Sequence, residues 1–372
     1  MLLTQCPVCA APLTHTYFVH CGRCYTRYCG SHCLEQDYFG THLDHCEQIE
    51  RAGGAEQYHA DKKCAEAVAV AIEACAEDTQ GQTCYICMGP GDDEESLVRG
   101  CACRGTAGFA HISCLAEQAK IMMSRAEENN LGNKALNARW NRWHTCGLCE
   151  QQYHGVVFCA LGWACWKTYL GRPEADLMRS NAMNLLGNSL YHVGHYENAL
   201  SVYEVKLSME RRLGADEENS LITQGNIANS YGALGRHEQA LSLRRDVYSG
   251  WLKLKGEEHH DTLREAENYA NVLVGLERFE EAKSLMRKMI PVARRFLGES
   301  NEASLSMRLI YALALCKNTG ATLDDLREAV TTLEDTDRTA RRVLGGAHPR
   351  TVNIERALQN VRAALAAREA AA

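Results

Sequence analysis

The sequence lacks several features that would place it in a broad class at once. No apolar run is long enough for a membrane-spanning helix, which needs about 20 residues; the longest, residues 156–166, has 11. The first residues lack the basic start of a secretory signal, so we expect a cytoplasmic or nuclear protein with no membrane partner. Basic residues (40) are outnumbered by acidic ones (47), which disfavours nucleic acid as a partner.

Cysteine and proline are each missing from a long part of the chain. Of the 19 cysteines, 18 lie in the first 165 residues. Proline is absent between Pro173 and Pro291, and such an interval suits uninterrupted helices. Without an export signal we expect a reducing compartment, where clustered cysteines hold metal more often than they form disulfides. Disulfides are the alternative, which the spacings below disfavour.

The first 46 residues contain eight soft or borderline metal ligands in four pairs. Their order is Cys6-x2-Cys9, Cys21-x2-Cys24, Cys29-x3-Cys33 and His42-x3-Cys46. Eight such ligands suffice for two tetrahedral zinc ions, and a closely spaced pair bends around one ion as half of a site. A segment of about 45 residues buries too little apolar surface to fold alone, so metal must supply much of its stability.

This first array resembles the MYND zinc finger over residues 6–46. The resemblance implies interleaved sites, in which pairs one and three hold one zinc and pairs two and four hold the other. Carried over, the first site comprises Cys6, Cys9, Cys29 and Cys33, and the second comprises Cys21, Cys24, His42 and Cys46. MYND fingers commonly bind proline-containing peptides through a tryptophan just before the ligand histidine. This chain has Tyr38 or Phe39 there, which leaves peptide binding by the finger open.

A second set of eight ligands follows a helix-like linker. The order is Cys84-x2-Cys87, Cys101-x-Cys103, His111-x2-Cys114 and, after a gap of 31 residues, Cys146-x2-Cys149. It resembles the RING-CH (RING-variant) finger of ubiquitin ligases over residues 84–149. A plant-homeodomain finger has a similar order, but the single residue between Cys101 and Cys103 favours RING-CH. Within the long gap we expect a helix over residues 115–139.

The RING-CH resemblance implies a cross-brace and a docking surface. One zinc takes Cys84, Cys87, His111 and Cys114, and the other takes Cys101, Cys103, Cys146 and Cys149. Ligases of this class have no nucleophile and instead dock a ubiquitin-conjugating enzyme, here through Ile86 with Leu115 in support. Two positions depart from the family: Gln118 stands where tryptophan is frequent, and Glu150 where active ligases often carry a cation.

After Pro173 the sequence repeats with a period of 42 residues. Gly214, Gly256 and Gly298 are evenly spaced, and Gly345 follows after 47 residues. Each is a candidate helix C-cap, because glycine reaches the left-handed conformation at little steric cost. The pattern resembles the tetratricopeptide repeats of kinesin light chains across residues 177–367. Stacked helical hairpins whose concave face binds peptides or partner helices are implied; the alternative is a helical spacer without a ligand.

One column of the repeats favours a ligand. Asn188, Asn229 and Asn271 share a position on the first helix of successive hairpins. Asparagine is a poor helix former whose amide carries both donors and an acceptor, so a ladder of them on a concave face would bind a peptide backbone. The alternative, which the sequence leaves open, is that these amides form hydrogen bonds between neighbouring helices.

Together these patterns predict a multidomain protein: two small cross-brace zinc fingers followed by an all-α tetratricopeptide superhelix. We expect a MYND-type finger over residues 1–50, a helical linker over 51–82, a RING-CH finger over 83–150, a connecting helix over 151–176 and repeats over 177–368. The expected cofactors are four zinc ions, and we assign no catalytic residue. The predicted function is a ubiquitin ligase whose repeats and MYND finger recruit protein substrates; the alternative is a non-catalytic interaction scaffold.

Overall fold

Helices make up most of the computed structural model, and a two-stranded antiparallel ribbon accompanies them. The structure describes residues 6–9, 13, 19–91, 95–318 and 320–370. The backbone divides into two units, Met1–Asp216 and Glu217–Ala372. The first unit contains both cysteine arrays and the first helical hairpin of the repeats; the second contains the remaining helices.

The first unit begins with a small finger around one β-ribbon. Strands β1 (Val19–His20) and β2 (Arg27–Tyr28) pair antiparallel, with Val19 opposite Tyr28. The elements that follow are α1 (Ser31–Asp37), a π-helical turn (Tyr38–His42), α2 (Leu43–Arg51) and α3 (Ala55–Thr79). The backbone N–H of Ala55, at the start of α3, donates to the carbonyl of Cys24 at 3.1 Å. The long helix is therefore attached directly to the first finger.

The second finger lies between α3 and α6 in the chain. It contains α4 (Ile112–Glu128), α5 (Asn133–Trp140) and a 3₁₀ turn (Asn141–Trp143), and α6 spans Gly155–Tyr169. The prediction of one helix over residues 115–139 is wrong in its middle, because the chain turns between α4 and α5. Asn130 takes a left-handed φ of 50°, and Gly132 precedes the start of α5. Asparagine and glycine suit such a turn better than a helix interior.

Helix α6 forms the core of the first unit. It packs against α3, α4 and α7, so nearly every side of it is buried, including the side chains of Trp163 and Trp166. A helix that is apolar all round is either such a core element or a membrane span. In the described part of the chain, no helix combines the length and the apolarity that crossing a membrane requires.

Helical hairpins make up the rest of both units. In the first unit α7 (Leu177–His192) pairs with α8 (Tyr196–Leu213). The second unit contains α9 (Glu217–Ala233), α10 (His237–Lys255), α11 (His260–Gly275), α12 (Phe279–Phe296), α13 (Glu302–Lys317), α14 (Leu323–Leu344) and α15 (Pro349–Ala370). There each helix packs against the next, and α13 also touches α11 and α15. This is the stacking expected of tetratricopeptide repeats.

The repeat glycines end helices at the predicted positions. All four have positive φ, and Gly214 adopts the predicted left-handed conformation (φ 64°, ψ 38°). Gly256 differs, because its positive φ of 79° is combined with a ψ of −177°. That combination is essentially restricted to glycine. The predicted caps are therefore present, but with more than one backbone geometry.

Candidate metal centres

The structure gathers the sixteen predicted ligands into four clusters. Site 1 contains Cys6, Cys9, Cys29 and Cys33; site 2 contains Cys21, Cys24, His42 and Cys46; site 3 contains Cys84, Cys87, His111 and Cys114; site 4 contains Cys101, Cys103, Cys146 and Cys149. Within each cluster all four donor atoms lie within 4.8 Å of one another. The ligand pairs interleave in both fingers, which is the arrangement that the two family resemblances imply.

The distances between donor atoms fit tetrahedral zinc. A Zn–S bond of about 2.3 Å places two thiolates on one ion about 3.8 Å apart. The sulfur atoms of Cys21 and Cys46 are 3.8 Å apart, as are those of Cys103 and Cys146. A disulfide would bring them to about 2.05 Å, and both pairs are free thiols. Geometry and donor chemistry therefore agree on zinc, and disulfides do not explain the clusters.

Three of the Cys-x2-Cys loops share one backbone geometry. In the loops that begin at Cys21, Cys84 and Cys146, the first cysteine's N–H donates to the carbonyl five residues later, and its carbonyl accepts from the N–H four residues later. The residue after the second cysteine has a φ near +60° in each; these residues are Tyr25, Met88 and Glu150. Non-glycine residues rarely adopt this conformation. Its recurrence indicates loops whose shape is set by a shared ligand.

The thiols of each site compete for ionisation. Burial opposes ionisation of Cys21, but hydrogen bonds from the backbone N–H groups of Cys24 and Arg23 outweigh it and lower its pKa to about 6. Burial and the hydrogen bond with Cys21 raise the pKa of Cys46, in the same site, to about 12. Zinc ligands must be deprotonated, so a dication would resolve this conflict by stabilising all the thiolates at once.

Site 3 shows the same division between its thiols. Burial disfavours the thiolate of Cys84, but hydrogen bonds from backbone N–H groups, first among them that of Cys87, lower its pKa to about 7. Burial and the neighbouring Cys87 raise the pKa of Cys114 to about 12. In both sites the environment favours ionisation of one thiol and disfavours ionisation of another.

The two histidines are oriented by groups behind them. Nδ1 of His42 lies 3.1 Å from the hydroxyl of Tyr28, and its Nε2 faces the sulfur of Cys24 at 3.5 Å. His111 is turned the other way, because its Nε2 donates to the carbonyl of Pro90 at 3.1 Å while Nδ1 lies 3.4 Å from a sulfur of site 3. Such bonds fix the tautomer and ring orientation of a zinc ligand. The ligand nitrogens are therefore Nε2 of His42 and Nδ1 of His111.

The second finger is joined to α6 by close packing. A Cβ added to Gly100 would lie only 2.5 Å from the Cβ of Val157, so glycine is required for this approach. The backbone N–H of His154 donates to the carbonyl of Gly100 at 2.8 Å. Beyond α6, Arg172 forms two hydrogen bonds of 2.7 and 2.8 Å with Glu127 at the end of α4. Site 4, next to Gly100 in the chain, is thus connected to the core of the first unit.

The two residues predicted to dock a conjugating enzyme occupy different environments. Ile86 is half-buried between the first two ligands of site 3. Leu115 is only 4% exposed, so it offers almost no area of its own to a docking enzyme, and its supporting role stays a prediction. With Ile112 and Ala119 it forms the buried stripe of α4, at the spacing of an amphipathic helix. Leu115 holds the finger together from within.

Two exposed apolar side chains on the zinc loops were missed in the sequence. Met88 follows site 3's Cys-x2-Cys pair and is 76% exposed, and Leu148 lies inside the pair of site 4 and is 52% exposed. The loops are neighbours, because a Cβ on Gly147 would lie 3.6 Å from the hydroxyl of Tyr85. The sequence signal that could have identified them is their position in the zinc loops. In so short a loop the cysteines face the metal, so the other side chains face outward.

The asparagine column is partly engaged within the hairpins. The hydroxyl of Tyr203 donates to Oδ1 of Asn188 at 2.7 Å, and the guanidinium of Arg244 donates to Oδ1 of Asn229. Both donors lie fifteen residues further on, on the second helix of the same hairpin. The exposed Asn271 has a methionine at that spacing. Hydrogen bonds between helices therefore account for two of the three amides, and peptide binding stays a prediction.

Arg244 also belongs to a buried network in the second unit. Its guanidinium pairs with the carboxylate of Glu265 at 2.6 Å, and both side chains are almost fully buried. Asn268 donates to the other carboxylate oxygen at 3.1 Å. A Cβ on Gly225 would lie 3.6 Å from both charged groups. This pairing was not predictable from the sequence, because the two charges lie on different helices, 21 residues apart.

Two family models match parts of the chain. A RING-variant domain matches residues 84–130, and a tetratricopeptide repeat matches residues 219–295. The molecule is therefore a zinc-binding adaptor for protein interactions, with a RING-variant domain and tetratricopeptide repeats. The last two ligands of site 4, Cys146 and Cys149, lie beyond the matched range, yet the structure brings them to Cys101 and Cys103.

Curated relatives share a smaller part. Clustered mitochondria protein homologs of Emericella nidulans and Ajellomyces capsulatus are 25% identical over 122 residues, which is 32% of this chain and 10% of theirs. The chain thus spans about a tenth of the length of the relatives it matches.

Among solved structures, similar chains include TPR-like repeats of a Podosopora anserina protein of the kinesin-light-chain type, at 17% identity and a TM-score of 0.42, covering 62% of this chain and 96% of that one. A Rap protein complexed with competence and sporulation factor has 14% identity and a TM-score of 0.41, covering 67% and 72%.

Proposed function

We propose that the chain is a ubiquitin ligase whose second finger docks a conjugating enzyme while the repeats and the first finger recruit protein substrates. The observation that carries the proposal is the set of apolar side chains on the zinc loops of a RING-variant finger. With zinc bound, protein ligands fill all four positions of sites 3 and 4, so the metal cannot activate water. The finger would act by holding two partners in a reactive geometry.

The proposed docking surface comprises Ile86, Met88 and Leu148. Large apolar side chains that are exposed on adjacent loops are typical of protein-binding sites. Ile86 is held in place because it lies between two zinc ligands. Met88 and Leu148 add exposed apolar area on the same and the adjacent loop. Because the loops are shaped by sites 3 and 4, zinc would position this surface without taking part in the transfer.

We expect Ile86→Ala to reduce ubiquitin transfer at least tenfold. Removing the buried part of a leucine-sized side chain from an interface costs about 1.5–3 kcal/mol, and 1.4 kcal/mol is a tenfold change in affinity. The measurement is discharge of ubiquitin from a panel of charged conjugating enzymes by the zinc-loaded protein. Zinc content should be unchanged, because Ile86 provides no ligand atom.

Ile121→Ala provides the matched control for this experiment. Ile121 is exposed on α4 of the same finger and lies away from the zinc loops in the chain. The control should transfer ubiquitin like the wild type. Equal activity of the Ile86 and Ile121 variants would show that the enzyme docks elsewhere.

The alternative function, a non-catalytic scaffold, is favoured by Glu150. This exposed carboxylate stands at the position where the RING-type resemblance predicts a cation that orients ubiquitin. A scaffold would bind conjugating enzyme or other partners without promoting discharge. Glu150→Arg distinguishes the two, because it would confer discharge on a finger that docks the enzyme but lacks only the cation.

The first finger is proposed to bind peptides through an exposed aromatic pair. Phe39 and Tyr38 lie in the turn before the ligand His42, and their rings meet edge to face with centroids 5.5 Å apart. Both are exposed. Aromatic surfaces of this kind suit proline-containing segments, which supports a recruiting role for the finger.

Asn271 provides the cleanest test of peptide binding by the repeats. We expect Asn271→Ala to weaken the binding of peptides, selected on the full chain from a random display library, by about two- to tenfold, since one hydrogen bond contributes about 0.5–1.5 kcal/mol. Thermal stability should be unchanged, because the side chain is exposed and alanine is the better helix former. Asn229→Ala is the contrasting variant and should lower stability, because its amide oxygen accepts from Arg244. Intact binding by the Asn271 variant would rule out its role in the groove.

A further inference from the structure

Arg308 places a charge where the preceding repeats have none. The same repeat position holds Gln224 and Ala266 in the two earlier hairpins, and Ala266 is fully buried. The side chain of Arg308, on α13, is only 8% exposed. Within residues 6–9, 13, 19–91, 95–318 and 320–370, its guanidinium has no partner for a hydrogen bond or an ion pair. No nitrogen of the side chain is sealed off from solvent, however.

A buried, unpaired arginine lowers the stability of the folded protein unless an anion binds to it. Burying a cation costs free energy that only a counter-ion or hydrogen bonds recover. The buried arginine of the other network, Arg244, has both. Arg308 is therefore a buried donor group, reachable from solvent, that forms no ion pair with a carboxylate in the described part of the chain.

Charged groups from three elements act on Arg308 electrostatically. Burial lowers the pKa of its guanidinium and the nearby Arg294 lowers it further, whereas Asp335 and Glu299 act in the opposite direction. Arg294 is at the end of α12, Glu299 in the turn that follows, and Asp335 on α14. The charges that act on Arg308 thus come from both neighbouring second helices, α12 and α14, and from the turn after α12.

Among Arg308 and the charged groups that act on it or pair with its neighbours, the cations outnumber the anions. Glu299 is hydrogen-bonded to Arg294, which lowers the pKa of the Glu299 carboxyl most strongly, and Arg308 and Arg342 lower it further. Asp335 is paired with Arg338 at 3.2 Å. Four arginines against two carboxylates leave two positive charges without a counter-charge.

We propose that this cluster is a phosphate-binding site centred on Arg308. A phosphate monoester carries a charge of about −1.5 to −2 at pH 7, which matches the excess of the cluster, whereas a carboxylate carries only one negative charge. The planar guanidinium donates two parallel hydrogen bonds to a phosphate, and such bonds are among the strongest in proteins. The site is separate from the asparagine column, because Arg308 lies at a different repeat position from Asn229 and Asn271.

The test is isothermal titration of the full, zinc-loaded chain at constant ionic strength. One probe is inorganic phosphate, and the other is an uncharged glycine–serine peptide that carries a single phosphoserine. Arg308→Met keeps the length of the side chain and removes its charge. Arg356→Met is the matched control, because Arg356 is an exposed arginine on α15 outside the cluster.

We expect saturable binding by the wild type and by the Arg356 variant, and at least tenfold weaker binding by the Arg308 variant, since a hydrogen bond to a charged group contributes that much or more. Tighter binding of the phosphopeptide would identify a phosphorylated protein as the source of the phosphate, and equal binding would identify free phosphate. No saturable binding by the wild type overturns the proposal, as does equal binding by the Arg308 variant. If the Arg308 variant were more stable and the wild type bound no phosphate, the buried arginine would only destabilise the fold and would not bind a ligand.

Discussion

Replacing Cys103 with serine should release the zinc of site 4 and unfold more than the second finger. The wild type should contain four equivalents of zinc and the variant three or fewer. Structural zinc contributes roughly 10–16 kcal/mol of apparent binding free energy, whereas a whole domain is stable by only about 5–15 kcal/mol. Loss of one ligand from a four-ligand site should therefore lower the stability of the first unit by several kcal/mol.

The expected spread of unfolding follows from the contacts around site 4. Gly100 precedes the ligand Cys101 and packs on Val157 of α6. The fully buried Trp143 lies three residues before the ligand Cys146, with its ring centroid 5.8 Å from that of Tyr169 at the end of α6. Both contacts would loosen if site 4 lost its metal. Since α6 packs against α7, the first hairpin of the repeats should lose support as well.

Hydrogen exchange measured by mass spectrometry locates the effect. Amides of α6 and α7 should lose protection in the Cys103 variant, while those of α13 to α15 should keep it. Cys316→Ser is the control, because it makes the same chemical change at a half-buried thiol outside the four clusters. If the second finger folded as an independent module, only residues 84–149 would lose protection. Two or fewer zinc ions in the wild type would contradict the assignment of four sites.

The zinc sites were predictable from the sequence because their chemistry is local. Each site is made of two pairs of ligands that are closely spaced in the sequence, so the spacing alone identifies the half-sites. The family resemblances then indicated which two half-sites share one zinc ion. The orientation of the histidines was not predictable. It depends on Tyr28 behind His42 and on the Pro90 carbonyl beside His111, which are brought there by folding.

The interaction surfaces were less predictable because they depend on packing. Leu115 has the right chemistry for docking, but the period of α4 turns it toward the core. Asn188 and Asn229 form a column in the sequence, yet whether an amide faces a groove or a neighbouring helix depends on the residue opposite. The second helix provides Tyr203 and Arg244 at the first two positions and Met286 at the third. Only comparison of both helices of a hairpin would have separated Asn271 from the others.

Replacing Arg244 with methionine should strongly destabilise the second unit. The variant would leave the buried carboxylate of Glu265 with only the exposed Arg264, 3.9 Å away, as a cation. It would also leave the amide oxygen of Asn229 without its donor. Breaking a buried ion pair by removing one partner costs about 3–5 kcal/mol. This loss is a large fraction of the stability of a typical domain. Urea denaturation of the full chain, followed by exchange of the α9 to α11 amides, would measure it.

Arg245→Met is the matched control, since Arg245 is next to Arg244 in the chain but is 63% exposed and lies 3.5 Å from Asp246. It should change stability by less than about 1 kcal/mol. The double variant Arg244→Met/Glu265→Met should recover most of the loss, because two apolar side chains of similar size fill the site without a buried charge. If the double variant were as unstable as the single one, the loss of stability would come from altered packing and not from an unpaired buried charge. If the single variant were as stable as the control, the buried pair would contribute nothing to the stability of the second unit.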